Sequence, residues 1–143
     1  MIQKTENITK RTTPENINKL EENQIFVFGS NLSGRHGKGA AKTALKWGAT
    51  WGQAKGLQGK TYGIPTKDAS IRRTLTIEEI KPFVDEFIEF AKANEKLIFL
   101  VTEIGCGLAG LKPKEVAPLF KEAVNVSNIH LPSRFWHKCI NDH

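Results

Sequence analysis

The chain has 143 residues, of which 25% are charged and 39% hydrophobic, and its net charge is +6. That length fits one domain with a single sizeable core, and the composition excludes a disordered chain. No apolar run approaches the roughly 20 residues of a membrane-spanning helix, and two isolated cysteines, Cys106 and Cys139, exclude a disulfide scaffold.

The excess of positive charge favours acidic partners such as nucleotides, nucleic acid or anionic surfaces, although charge of this size also serves solubility. The lysines and arginines are spread along the chain without a basic block. His36, His130, His137 and His143 lack metal-ligand spacing, so no metal and no resident cofactor are expected. The opening stretch, MIQKTENITKRTTPENINK, contains no apolar segment of a signal peptide, and a cytoplasmic protein is expected.

Residues 1–24 read as a polar extension and 25–143 as one domain. Thr13 followed by Pro14 predicts an N-cap and a short helix toward Glu22. Ile25-Phe26-Val27-Phe28 is a continuous apolar run, the pattern of a strand covered on both faces. Lys38 to Trp47 reads as helix, and Gly48 to Gly59 as a loop. Thr61-Tyr62-Gly63-Ile64 predicts a second strand closed by Pro65. Thr76 with Glu79 forms a capping box before a stripe of Ile77, Ile80, Val84, Phe87, Ile88 and Ala91, with a kink or restart expected at Pro82. Leu97 to Val101 is the clearest strand. A helix opening at Pro113, with Pro118 inside it, and a short strand at Ile129 to Leu131 complete the pattern. Strands alternating with helices predict an α/β layer fold.

Three segments carry the chemistry. Two are glycine-rich turns, Gly34 to Gly39 and Gly105 to Gly110, each following a strand. In open α/β sheets ligands bind at such turns, where exposed amides and helix N-termini favour phosphate. One glycine turn alone is as well explained by tight geometry; two in equivalent places point to a diphosphate-containing ligand. Neither matches the nucleotide-hydrolase or dinucleotide fingerprints. The third segment, "YGIPTKD", sets Thr66, Lys67 and Asp68 at the lip of the same sheet end. A lysine there is ordinarily solvated, but it can also clamp phosphate or act as a nucleophile.

Taken together, His36-Gly37-Lys38-Gly39-Ala40-Ala41, Ile64-Pro65-Thr66-Lys67 and Ile104-Gly105-Cys106-Gly107-Leu108-Ala109-Gly110-Leu111 resemble the motifs of the macrodomain superfamily. The chain looks most like the branch of lysine-dependent ADP-ribosyl glycohydrolases, which includes terminal ADP-ribose glycohydrolases and antitoxins acting on ADP-ribosylated DNA. Small stand-alone proteins of bacteria and phages are similar. The likeness covers roughly residues 25 to 131, and its third motif is the most specific.

This resemblance implies a three-layer α/β/α fold with a mixed sheet and an ADP-ribose-binding protein. Gly37, Lys38, Gly39 and Ala40 would approach the distal ribose. Gly105, Cys106, Gly107, Leu108, Ala109 and Gly110 would wrap the diphosphate. Asn31 would reach the ribose hydroxyls or serve as a turn residue, and Thr66 would line the site. Lys67 would be the nucleophile that attacks the anomeric carbon. Some members carry an aspartate directly after "GCGL", where this chain has Ala109. Glu103 is the candidate replacement, or else a salt-bridged structural acid; Asp68 is the weaker alternative because neighbours on an extended segment point apart. Trp47, Trp51 and Trp136 would stack on a base or pack in the core, and His36 is either functional or a solvated turn residue. The implied partners are ADP-ribose or an ADP-ribosylated protein or nucleic acid; binding without chemistry is the alternative.

Overall fold

The computed structural model describes residues 10–141. In chain order the elements are β1 (Gln24–Asn31), α1 (Gly39–Leu45), β2 (Gly56–Gln58), β3 (Thr61–Lys67), α2 (Ile77–Ala93), β4 (Ile98–Val101) and α3 (Pro113–Val116). A 3-10 helix (Ala117–Asn125), β5 (Ile129–His130) and α4 (Ser133–Asn141) complete the chain. The sheet order is β2-β3-β1-β4-β5, with β2 antiparallel to its neighbour and the other pairings parallel. The fold is α/β with a mixed five-stranded sheet.

β1 is central because both of its faces are apolar. Side chains alternate across a strand, so Ile25 and Val27 enter a large core with α2, the 3-10 helix and α4. Phe26 and Phe28 enter a smaller one with Ala41, Ala44 and Trp47. Helices therefore cover both faces of the sheet. The capping box forms as expected, Thr76 Oγ1 accepting from the Glu79 amide.

Several expectations fail for identifiable reasons. No helix forms between Pro14 and Glu22. The Thr13 amide instead donates to the Leu131 carbonyl at 2.9 Å, and Ile17 and Leu20 pack on the Phe26 cluster. Tertiary pairing overrides the local cap signal, and the chain from Arg11 onward is built into the main body. Helix α2 runs unbroken through Pro82, with no restart. That proline and Glu78, whose carbonyl loses its partner, both lie on the exposed face, where water serves the carbonyl. The expected loop from Gly48 to Gly59 contains β2, and the tail after Pro132 forms α4 with Phe135 and Trp136 fully buried. The helix opened by Pro113 tightens to 3-10 geometry from Ala117, next to Pro118. Among the described residues no helix is long and apolar enough to cross a membrane.

One side chain ties the two ends of the described chain together. Arg11, only 9% exposed, donates to the carbonyls of Ala123, Val124, Val126 and Ile129. Its guanidinium lies 5.0 Å from the Trp136 ring centroid, and Trp136 Nε1 donates back to the Arg11 carbonyl at 2.7 Å.

Candidate functional site

The parallel strands β1, β3 and β4 all end at one edge of the sheet, where a cleft of about 1720 Å3 opens. That exceeds the roughly 300–1,000 Å3 of an ordinary small-molecule site. There is room for a large ligand and for something attached to it.

Backbone close approach builds the cleft floor. Thr102 donates to the Val27 carbonyl through both its amide and its hydroxyl, pinning the end of β4 to β1. Thr66 Oγ1 donates to the Ser30 carbonyl at 3.3 Å, across a register irregularity between Ser30 and Asn31. A Cβ on Gly29 would lie 3.3 Å from the Gly105 amide nitrogen, so glycine there lets the second glycine turn sit against the strand end.

The first glycine turn is locked from beneath. Gly34 has φ +70°, and a Cβ on it would fall 2.4 Å from the Gly52 carbonyl carbon. Asn31 is 7% exposed; its carboxamide oxygen accepts from the Arg35 amide and Ser33 hydroxyl, and its nitrogen donates to the Arg35 carbonyl. It faces the cleft while shaping the turn. His36 is fully buried, which corrects the expectation of a solvated residue. Its Nε2 lies 2.9 Å from the Thr50 carbonyl, and its ring meets Phe28 edge-on, so it anchors the turn rather than facing a ligand.

The second turn offers its backbone. The amides of Gly105, Gly107, Leu108 and Ala109 make no hydrogen bond among the described residues, whereas the Cys106 and Gly110 amides donate to Glu103 and Gly107. A run of such amides suits anionic oxygens. Thr74 Oγ1 steadies the turn by donating to the Ala109 carbonyl at 2.6 Å. Leu108, 66% exposed, reaches across to within 3.2 Å of where a Cβ on Gly39 would lie, so the two turns nearly meet above the floor. Burial, reinforced by Glu103, pushes the Cys106 thiol up to about 11 and keeps it protonated near neutrality.

Lys67 ends β3 at the cleft wall, its Nζ donating to the Ile71 carbonyl at 3.4 Å. Ile71 has φ +67°, unusual for a β-branched residue, and belongs to a turn held by Asp68. Asp68 is occupied there with Ser70 and Arg73 and does not line the cleft. Glu103 does line it, paired in fork geometry with Arg134 of α4, Oε2 to Nε 2.6 Å. The Arg134 hydrogen bonds hold the Glu103 carboxyl below the usual carboxylate range. It is an ionised acceptor at neutral pH and has no proton to give.

The structure thus brings Lys67, Glu103, Asn31, Thr66, Gly37, Lys38, Gly39 and Ala40 into one cleft with Gly105 to Ala109; Gly110 falls just outside its lining. Trp51 sits at the rim, 58% exposed, Trp47 packs on the smaller core, and Trp136 is core. Sequence reasoning missed Arg134, whose only signal is the helix start "PSR" after the last strand. It also missed the wall formed by 12–18. Four cations (Arg35, Lys38, Lys67, Arg134) and two carboxylates (Glu15, Glu103) face the cleft, a balance favouring an anion. Among the described residues no group of three or more His, Cys, Asp or Glu is placed to hold a metal. Comparison with family models, curated proteins and solved structures finds no significant match for the chain.

Proposed function

We propose that the chain binds ADP-ribose in this cleft and acts as an ADP-ribosyl glycohydrolase of macrodomain type, removing the group from a modified protein or nucleic acid in the cytoplasm. The observation that carries the reading is the convergence of three segments far apart in sequence. The first glycine turn, Thr66-Lys67 and the Gly105 turn surround one cationic cleft with unpaired amides. A diphosphate suits those amides, and a ribose placed toward Gly37 to Ala40 would bring its anomeric carbon into reach of Lys67.

In this mechanism the Lys67 Nζ lone pair forms a bond to the anomeric carbon as the bond to the acceptor breaks. The acceptor leaves with the electron pair and takes up the proton that the newly bonded amine gives up. Water then adds to that carbon and restores the lysine. Glu103, kept ionised by Arg134, is the carboxylate at the rim able to accept a proton from that water.

Ala109 favours a second reading, binding without turnover, because no acid follows the glycine turn where some macrodomains carry one. Single-turnover assays on ADP-ribosylated protein and DNA separate the two. Lys67→Ala should abolish release while largely preserving ADP-ribose affinity. An unchanged rate rules out the lysine mechanism, and no release by the native chain from either carrier selects the binding-only reading.

A further inference from the structure

The positive charge is concentrated in one part of the chain. Residues 23–67 contain seven lysines and arginines and no aspartate or glutamate; the rest, with fourteen cations and fifteen acids, has a net charge of −1. The bases are evenly spaced, and the asymmetry comes from the acids. This segment forms the first glycine turn, α1 and the sheet edge beyond them. Lys38, Lys42 and Lys46 recur every fourth residue along α1 and its caps, which places them on one side of the helix. With Arg35 they are exposed, and none of the four pairs with a carboxylate among the described residues.

At the Arg35–Lys38 end of this stripe stands Trp51, which lines the cleft with both. It is the most exposed tryptophan, and its ring meets the buried His36 edge-on with centroids 6.4 Å apart. Since His36 is fixed by the Thr50 carbonyl and Gln58, the indole rests on a rigid base. Gly37 and Gly52 flank it without side chains, and a Cβ on Gly37 would touch the ring at 4.0 Å.

We propose that Trp51 and the Arg35–Lys46 stripe form a docking face for single-stranded nucleic acid, a base stacking on the indole and the backbone phosphates following the lysines. An aromatic platform beside cations that no carboxylate neutralises is how strands are held without sequence preference. A duplex hides its base faces, and an acidic peptide leaves the platform unused. The role of this face as carrier recognition rests on the glycohydrolase reading; the binding itself does not. The platform opens onto the cleft rim, so a strand docked here would present a modified nucleotide to Lys67.

The test uses the full chain and an unmodified single-stranded oligo-dT of about 12 nucleotides, read by anisotropy and tryptophan fluorescence. The native chain should bind, with quenching and a log–log salt slope of about −2 to −3, as for three or four phosphate contacts. Lys42→Gln with Lys46→Gln should flatten the slope by about 1.4 and leave ADP-ribose affinity unchanged. Trp51→Ala should weaken strand binding roughly tenfold, whereas Trp51→Phe should keep most of the affinity and lose the quenching. The proposal is overturned if the native chain does not bind at low salt, if Trp51→Ala binds as well as native, or if poly-glutamate binds equally. ADP-ribose titration on the same samples separates the two ideas. Binding of ADP-ribose without the oligonucleotide sinks the docking face alone; the reverse sinks the glycohydrolase reading and leaves the face standing.

Discussion

Replacing Arg11 with methionine tests how the chain is held together around the cleft. The change keeps an apolar stem against Trp136 but leaves the carbonyls of Ala123, Val124, Val126 and Ile129 without their donor. Three nitrogens share these bonds, so the gain is nearer three charge-assisted hydrogen bonds than five, at about 1.5 kcal/mol each. Burial of a guanidinium without a carboxylate opposes this, lowering the Arg11 pKa from its ordinary value. Removing the charge relieves that cost and strands the acceptors, each worth about 1–3 kcal/mol where water cannot follow. Val124 lies in part-buried surroundings and can rehydrate. The expected net loss is about 3–4 kcal/mol, a large share of the roughly 5–15 kcal/mol of a typical domain. Urea unfolding followed by circular dichroism should show a lower midpoint at an unchanged m-value. Arg11→Lys should fall between the two, because a point ammonium cannot serve four acceptors in a plane. A loss below about 1 kcal/mol for Arg11→Met would refute the argument, since it would mean the carbonyls are satisfied without the fork.

Two glycines should separate fold from function. Gly34→Ala meets backbone at 2.4 Å and a positive φ, and should cost about 3 kcal/mol or more in urea unfolding. Gly107→Ala has nothing within 4 Å, so stability should stay within about 0.5 kcal/mol while the added methyl weakens ADP-ribose binding on titration. Burial, with Arg11 nearby, holds His130 below the usual histidine range. The unfolded chain takes up that proton near pH 6.5 and the native state only at lower pH, so stability is full above that value and falls as the pH drops below it. His130→Gln should flatten the midpoint between about pH 7 and pH 5; an unaltered profile contradicts the assignment.

Much of the fold was legible because the strands are locally explicit. Ile25 to Phe28 and Leu97 to Val101 are apolar without interruption, and the Thr76–Glu79 box marks its helix. The failures lie where distant contacts decide. Thr13-Pro14 looks like a helix start, yet Arg11 and Thr13 are held by carbonyls more than a hundred residues away. The cleft was legible as glycine turns and a lysine at strand ends, since those residues mark sheet edges by type alone. Its Arg134 wall was not, because α4 sits beside the second turn only once the chain has folded. His36 illustrates the same limit: between two glycines it reads as surface, but packing on Phe28 buries it.

Calorimetric titration of the full chain with ADP-ribose, AMP and NAD decides whether this cleft takes ADP-ribose. A cleft built for ADP-ribose should show dissociation on the order of micromolar, a clear preference for ADP-ribose, and affinity largely retained in Lys67→Ala. An absence of heat with all three would contradict it, leaving the glycine turns as features of the fold alone.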